Sequence, residues 1–301
     1  MTQEERVAAD ARIRALLGVN RKGTTADAPP MNPRAGSLLA VTASTKLPID
    51  DETYGLQMYG YGEVWGRPGL PTRARSFITL GLLTGTTQPD QLGIHVNNAI
   101  NLGLTPEEIC ETLVHVGAYS GVSTWHNGAN VVRHVFVERG ILQPGSGAGY
   151  VARPPTTRVD RQAAADTMIR ALGVGRIGLS DDAPPLAPLP GDPASLRSIQ
   201  CLPIEDDIEQ IQNEYLYGEV WSRPTLDLRT RILITVAALQ ALRVNDALHA
   251  SINVALNLGV TPDELHEVFL HAGVYSGLAG WRNATHVARD VFIQHGLLAA
   301  A

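Results

Sequence analysis

Apolar positions recur along this chain at intervals of three and four, and strand-like alternation is absent. Leu92, His95, Val96, Ala99 and Ile100 fall on one helical face, and Gly103 is placed to stop that helix. Val131, Val132, Val135 and Phe136 form another stripe, with Ser123 as a candidate N-cap and Gly140 as its end. Thr72–Leu83 and Arg229–Leu242 are dominated by apolar residues, which predicts buried helices. Thr105-Pro106-Glu107-Glu108 reads as a helix start. The hydroxyl caps, proline takes the first helical position, and a Glu three residues after the cap reaches back. Thr261-Pro262-Asp263-Glu264 repeats that signal. Regions 20–50 and 175–205 are rich in Pro, Gly and Ser and predict irregular arms. The pattern predicts an all-α fold.

The pattern also occurs twice. Tyr61-Gly-Glu-Val-Trp-Gly-Arg-Pro-Gly-Leu70 returns as Tyr217-Gly-Glu-Val-Trp-Ser-Arg-Pro-Thr-Leu226, an offset of 217 − 61 = 156. Asn101–Ile109 returns as Asn257–Leu265 at the same offset. Asp27-Ala-Pro-Pro30 and Leu47-Pro-Ile-Asp50 return as Asp182-Ala-Pro-Pro185 and Leu202-Pro-Ile-Glu205, displaced by 155. Such a period is too long for a solenoid unit and predicts two similar domains, 1–145 and 156–301, with a boundary near Pro144–Pro155. Residues common to both copies point to the fold. Residues that differ point to a site carried by one copy.

Composition narrows the function. Net charge is −6 with no basic block, which argues against nucleic-acid and anionic-membrane partners. No run approaches the roughly 18 apolar residues of a spanning helix. Met1-Thr-Gln-Glu-Glu-Arg6 is charged and no apolar stretch follows, so no secretory leader is expected. Cys110 and Cys201 occupy non-equivalent places and neither lies in a C-x-x-C pair. A disulfide framework or thiolate zinc site is therefore not expected, and a reducing cytoplasm is the simplest location.

Three groups could carry chemistry. Glu63 and Glu219 each lie two residues before a Trp, where desolvation would suit a carboxyl group to proton transfer. The structural alternative is an ion pair with Arg67 or Arg73, or with Arg223 or Arg229 in the second copy. Arg67, Arg73 and Arg75 suit carboxylate binding. Arg73 and Arg75 cannot share one helix face, so one is expected inward and one outward. The histidines diverge between copies. His95 is replaced by Ser251 (95 + 156), His126 by Arg282, and His115 is matched by His271. His249, displaced by two residues, would face elsewhere. A packing residue should be retained in both copies more often than a catalytic one, so a complete site is expected in the first repeat only, or once per pair of repeats. His266 and His271 are five apart and His115 and His126 eleven, unlike a helical i, i+4 zinc pair, so no metal is expected. Phosphate-loop, dinucleotide and nucleophile-elbow motifs are missing.

Gly62-Glu-Val-Trp-Gly-Arg-Pro-Gly-Leu70, Arg73-x-Arg75, His95-x3-Ala99-x3-Gly103-Leu-Thr-x-Glu-Glu-Ile109 and Tyr119-x-Gly121-Val together resemble the carboxymuconolactone decarboxylase family. Gly218-Glu-Val-Trp-Ser-Arg-Pro224, Leu226-Asp-x-Arg-x-Arg231 and Tyr275-Ser-Gly277 carry the resemblance in the second copy. It implies two tandem helical domains of the alkylhydroperoxidase D-like kind related by pseudo-twofold duplication. It also implies a homotrimer presenting six pseudo-equivalent domains, with sites at domain interfaces. The peroxidase branch uses C-x-x-C followed by His, whereas Tyr119–His126 contains no cysteine, so disulfide-based peroxide reduction is not expected.

The implied activity is cofactor-free decarboxylation of a small carboxylated unsaturated lactone, whose conjugated carbonyl receives the electrons left by CO2. The resemblance marks Glu63, His95 and His126 as catalytic and Arg67 and Arg73 as substrate-binding, and Trp65 and Trp125 are expected to shape the substrate pocket beside them. No cofactor, nucleic acid or membrane is implied. Ser251, Pro71 (where the second copy has Asp227) and the indoles Trp125 and Trp281 depart from the family pattern. They keep open a cofactor-free isomerase, elimination or ring-rearrangement enzyme acting on a larger aromatic substrate, and a non-catalytic binding or oligomerising protein.

Overall fold

The computed structural model describes residues 1–32, 55–145, 156–190 and 205–299. Residues 33–50 and 191–204 of the arms, Cys201 included, and most of the Pro144–Pro155 boundary lie outside the described residues. The first half runs α1 (Gln3–Leu17), a π-helical segment π1 (Tyr59–Trp65), α2 (Thr72–Gly85), α3 (Pro89–Asn101), α4 (Pro106–Ser120) and α5 (Val122–Glu138). The second runs α6 (Arg158–Leu172), α7 (Glu205–Ile211), π2 (Gln212–Trp221), α8 (Leu228–Leu242), α9 (Asn245–Asn257), α10 (Pro262–Ser276) and α11 (Leu278–Gln294). The expected all-α fold is found. The described parts of the arms contribute isolated bridges, Arg21 to Pro30 and Arg176 to Pro185.

Local signals set most boundaries. Thr105 and Thr261 form reciprocal capping boxes with Glu108 and Glu264. The stripe Val131, Val132, Val135 and Phe136 is buried, as is Leu92, Val96 and Ala99 on α3. The Ser123 cap is not used. The chain turns at Gly121, whose φ of 98° favours glycine, and α5 begins at Val122, ahead of Ser123. Gly277 repeats this turn with φ of 88° before α11.

The repeated Gly-Glu-Val-Trp motif lies on the π segments. Gly62 and Gly218 let these segments press against α1 and α6. A Cβ on Gly62 would lie 2.8 Å from the Arg6 carbonyl oxygen, and one on Gly218 would lie 2.3 Å from that of Arg161. Each wide turn then sends its Trp and the following Arg toward the other repeat.

The two halves exchange core residues. Leu70, Ile78 and Leu82 pack into the core of the second repeat. Their equivalents Leu226, Ile234 and Ala238 pack into the core of the first. α2 and α8 meet closely because position 81 is glycine. A Cβ there would stand 2.6 Å from Cγ2 of Ile234. Nonlocal burial across this contact joins the repeats more firmly than a linker could.

Candidate active site

Two clusters form where the halves interpenetrate, here termed interlocks. In the first, π1 and α2 of the first repeat face α10 of the second. Trp65 donates its indole N–H to Tyr275 Oη at 2.8 Å, and the same oxygen lies 3.3 Å from His95 Nε2. The Trp65 and His95 rings stack at 5.7 Å between centroids, and His271 meets Trp65 edge-on at 4.8 Å. Beside the rings, Glu267 takes Arg67 Nε at 2.6 Å on one oxygen and Arg75 Nη2 at 2.8 Å on the other. Arg75 is fully buried, whereas 43% of the Arg67 side chain is exposed, so the ion pair reaches solvent through Arg67.

The second interlock is the pseudo-symmetric counterpart. Trp221 donates to Tyr119 Oη at 2.8 Å. Glu111 accepts from Arg223 Nε at 2.6 Å and from Arg231 Nη2 at 2.6 Å. His115 lies edge-on to Trp221 at 5.0 Å. Ser251 occupies the position of His95. In both interlocks two guanidinium groups share one carboxylate. Each therefore holds one formal positive charge in excess within that trio, a local field suited to an anion.

Burial controls the protonation states. It pushes the His95 imidazole down to about 3, so the ring is neutral near pH 7. It pushes His271 well below its ordinary value, and the Arg75 and His95 charges act in the same direction. The Tyr275 phenol is raised, chiefly by burial. Burial also pushes the Glu267 carboxyl up. Hydrogen bonds from Arg67 and Arg75, with their charges, outweigh that and hold it below the ordinary range. The first interlock thus offers neutral ring donors and acceptors beside a fixed cationic edge. Among the described residues no group of three or more His, Cys, Asp or Glu could hold a metal ion.

The sequence pattern of the carboxymuconolactone decarboxylase family matches residues 54–134 and again 206–290. The chain belongs to this family. It is 40% identical over 102 residues to 4-carboxymuconolactone decarboxylase of Acinetobacter baylyi, covering 34% of this chain and 76% of that protein. It is 44% identical over 63 residues to nitrosuccinic acid decarboxylase of Metarhizium robertsii, covering 21% and 44%. An uncharacterized 15.0 kDa protein of Paracoccus denitrificans is 28% identical over 85 residues, covering 28% and 63%. The shares show that the Acinetobacter relative is roughly the size of one repeat.

The residues singled out by resemblance to this family separate into two sets. Trp65, Arg67 and His95 meet at the first interlock. Glu63 instead pairs with Arg6 of α1, a partner not among the arginines considered from sequence. Arg73 points outward and pairs with Glu108 while donating to Gly103 O at 3.1 Å. The opposite orientations expected of Arg73 and Arg75 are found, with Arg75 inward. His126 is exposed on α5, its ring against Trp125 at 4.8 Å. Trp125 itself packs over Gly117 of α4. Hence the hydrogen bonds, ion pairs and ring contacts of Glu63, Arg73 and His126 lie outside the first interlock. His249 turns to Asp290, at 2.8 Å.

Sequence reasoning passed over Glu267 and Thr79 and gave Tyr275 and His271 no role at a site. Each has a like residue in the other repeat (Glu111, Thr235, Tyr119 and His115), so each read as a requirement of the fold. The available signal was the 156-residue offset itself. An interlock formed by exchange must pair residues of one copy with those of the other.

Proposed function

We propose that this protein is a cofactor-independent carboxy-lyase acting at the first interlock on a small carboxylated unsaturated compound of the 4-carboxymuconolactone kind. The observation that carries the reading is the meeting of His95, Trp65 and Tyr275 beside the Arg67–Glu267–Arg75 trio, in the interlock that has His95 rather than Ser251. The names of two relatives support decarboxylation. Both a conjugated lactone and a nitro group can accept the electron pair released with CO2, so the substrate carries its own sink.

On this reading the excess positive charge of the arginines attracts and orients the substrate carboxylate. As the C–C bond breaks, the pair moves onto the carbonyl oxygen of the sink. A neutral imidazole stabilises that oxyanion by hydrogen bonding, with little reorganisation because its neighbours already hold it. The His95–Tyr275 pair carries the proton added at carbon, which solvent replaces, so each turnover takes up one proton. Trp65 and its ring neighbours keep bulk water from the oxyanion, which strengthens these interactions. Glu63, tied to Arg6, holds π1 against α1.

The test is CO2 release and loss of the conjugated-lactone absorbance on incubation with 4-carboxymuconolactone, with nitrosuccinate as a second substrate. His95→Gln should lower kcat/KM on the order of 100-fold or more, with thermal unfolding still cooperative. No CO2 from either compound, or an unimpaired His95→Gln enzyme, would reject this reading.

A further inference from the structure

The hydrogen bonds of the first interlock fix a tautomer. A backbone carbonyl can only accept, so Thr79 places its hydroxyl proton on Arg75 O, at 2.9 Å. With that proton placed, Thr79 Oγ1 can only accept in its other contacts, with His271 Nε2 at 2.8 Å and with the Tyr275 hydroxyl. Nε2 therefore carries the ring proton. Because the buried ring is neutral, Nδ1 is a bare lone pair. Thr235 does the same in the second interlock. It donates to Arg231 O at 2.9 Å and receives His115 Nε2 at 2.8 Å.

The interlocks part at the other ring nitrogen. His115 Nδ1 receives Arg231 Nη1 at 3.2 Å, and Arg231 Nε donates to Leu226 O at 3.2 Å. With Nη2 on Glu111 and Arg223 O, each nitrogen of that guanidinium has a partner. Arg75 is engaged through Nη2 alone, to Glu267 and Arg67 O. Its Nε and Nη1, and His271 Nδ1, have no partner among the described residues, although both side chains are fully buried. Buried donors and acceptors left in this state are rare in folded proteins because their hydration is lost without replacement. Two free donors and one free acceptor stand one ion pair from solvent, since Arg67 shares Glu267 and is exposed.

We propose that Thr79 is a positioning residue that holds His271 as the Nε2–H tautomer, so that Nδ1 and the free edge of Arg75 together receive an acid bearing an O–H beside its carboxylate. Arg75 takes the carboxylate, and His271 Nδ1 accepts from the adjoining hydroxyl or enol. This rests on the reading of the first interlock as the active site and adds a ligand class to it, since neither 4-carboxymuconolactone nor nitrosuccinate bears an O–H beside its carboxylate. The second interlock, with its Arg–His edge closed on itself, is a structural copy.

The test uses the intact chain in three arms. Nitrogen-15 spectra of labelled histidines, assigned with His271→Gln, should show His271 protonated at Nε2 and bare at Nδ1. Thr79→Ser should keep that signature and Thr79→Val should lose it. Calorimetry with malate and succinate as inert probes should show malate bound about tenfold more tightly, the scale of one hydrogen bond. Thr79→Val should abolish the preference and Thr79→Ser should retain it. Thr235→Val should leave it intact, whereas a merely structural role would make the two valine variants alike.

A wild-type His271 carrying its proton on Nδ1 would overturn the proposal. So would equal affinity for malate and succinate, binding of neither, or equal loss of preference in Thr79→Val and Thr235→Val. Should Thr79→Val fail to fold, the wild-type tautomer and the Thr79→Ser comparison still decide. Absence of CO2 release would reject the decarboxylase reading without altering these arms.

Discussion

The first and second interlocks share a scaffold and differ in what it holds. Both have a Trp bonded to a Tyr across the repeats, two arginines on one glutamate, and a Thr-bonded histidine. The first adds His95 and leaves Arg75 Nε and Nη1 and His271 Nδ1 without a partner among the described residues, whereas the second has Ser251 and closes Arg231 onto His115. Repetition therefore marks what joins the halves, and the departure from repetition marks where chemistry can reside. A buried ion network kept in both copies is weak ground for assigning catalysis, since structural networks perturb pKa values as readily as active sites do.

Acid should expose this difference with the largest effect. Burial lowers His95 and His115 to about 3 and lowers His271, while the unfolded chain binds these protons near 6.5. Below about 6.5 the unfolded state therefore holds more protons. Stability is full above that pH and falls toward 3 by about 1.4 kcal/mol per pH unit for each ring. His295, lowered by partial burial, adds a background outside both interlocks. Urea unfolding between pH 7 and 5, above the main carboxylate titration, should show the decline. His95→Ser should make it shallower by one ring's share. An unchanged slope would mean that His95 is solvated and that the asymmetry between interlocks is not one of burial.

The next largest effect asks whether the shared scaffold is structural in both places. Glu267→Gln leaves Arg75 without its buried counter-charge, and Glu111→Gln does the same to Arg231. Each should cost about 3–5 kcal/mol in urea unfolding, the usual penalty for breaking a buried pair from one side. Comparable losses are expected. A tolerated Glu111→Gln beside a damaging Glu267→Gln would break the equivalence and leave the ion network structural in the first interlock alone.

What was legible in the sequence follows the range of each interaction. Helices and caps are local, so Thr105 with Glu108 and the Val131–Phe136 stripe could be read directly. The Gly121 turn displaced the Ser123 cap because a positive φ is a backbone property that periodicity does not report. His95 stood out because its counterpart is serine. Glu63 was prominent because its motif is prominent, yet the geometry of the π turn carries it to Arg6, while the carboxylate beside the rings comes from position 267 of the other repeat. The exchange of Ile78 for Ile234 across Gly81 is nonlocal, and neither repeat encodes it by itself.

The smallest expected effect concerns another place where the copies part. Asp227 caps α8, accepting Thr230 N at 2.7 Å and Thr230 Oγ1 at 2.8 Å. Its counterpart Pro71 precedes α2 with φ of −58° and no side-chain cap. Asp227→Ala should cost about 1 kcal/mol, the typical value of an N-cap. Pro71→Asp would gain a similar bond to the free backbone N–H groups at the start of α2. It would also release the fixed proline φ and restore about 0.4–1 kcal/mol of conformational freedom to the unfolded chain. The terms oppose, so Pro71→Asp should change stability by less than about 0.5 kcal/mol. A gain above about 1 kcal/mol in urea unfolding would mean that the two repeats start this helix with unequal strength. A near-neutral result would mean that a rigid residue and a capping residue are interchangeable there, and that the copies diverged at this position without consequence for either interlock.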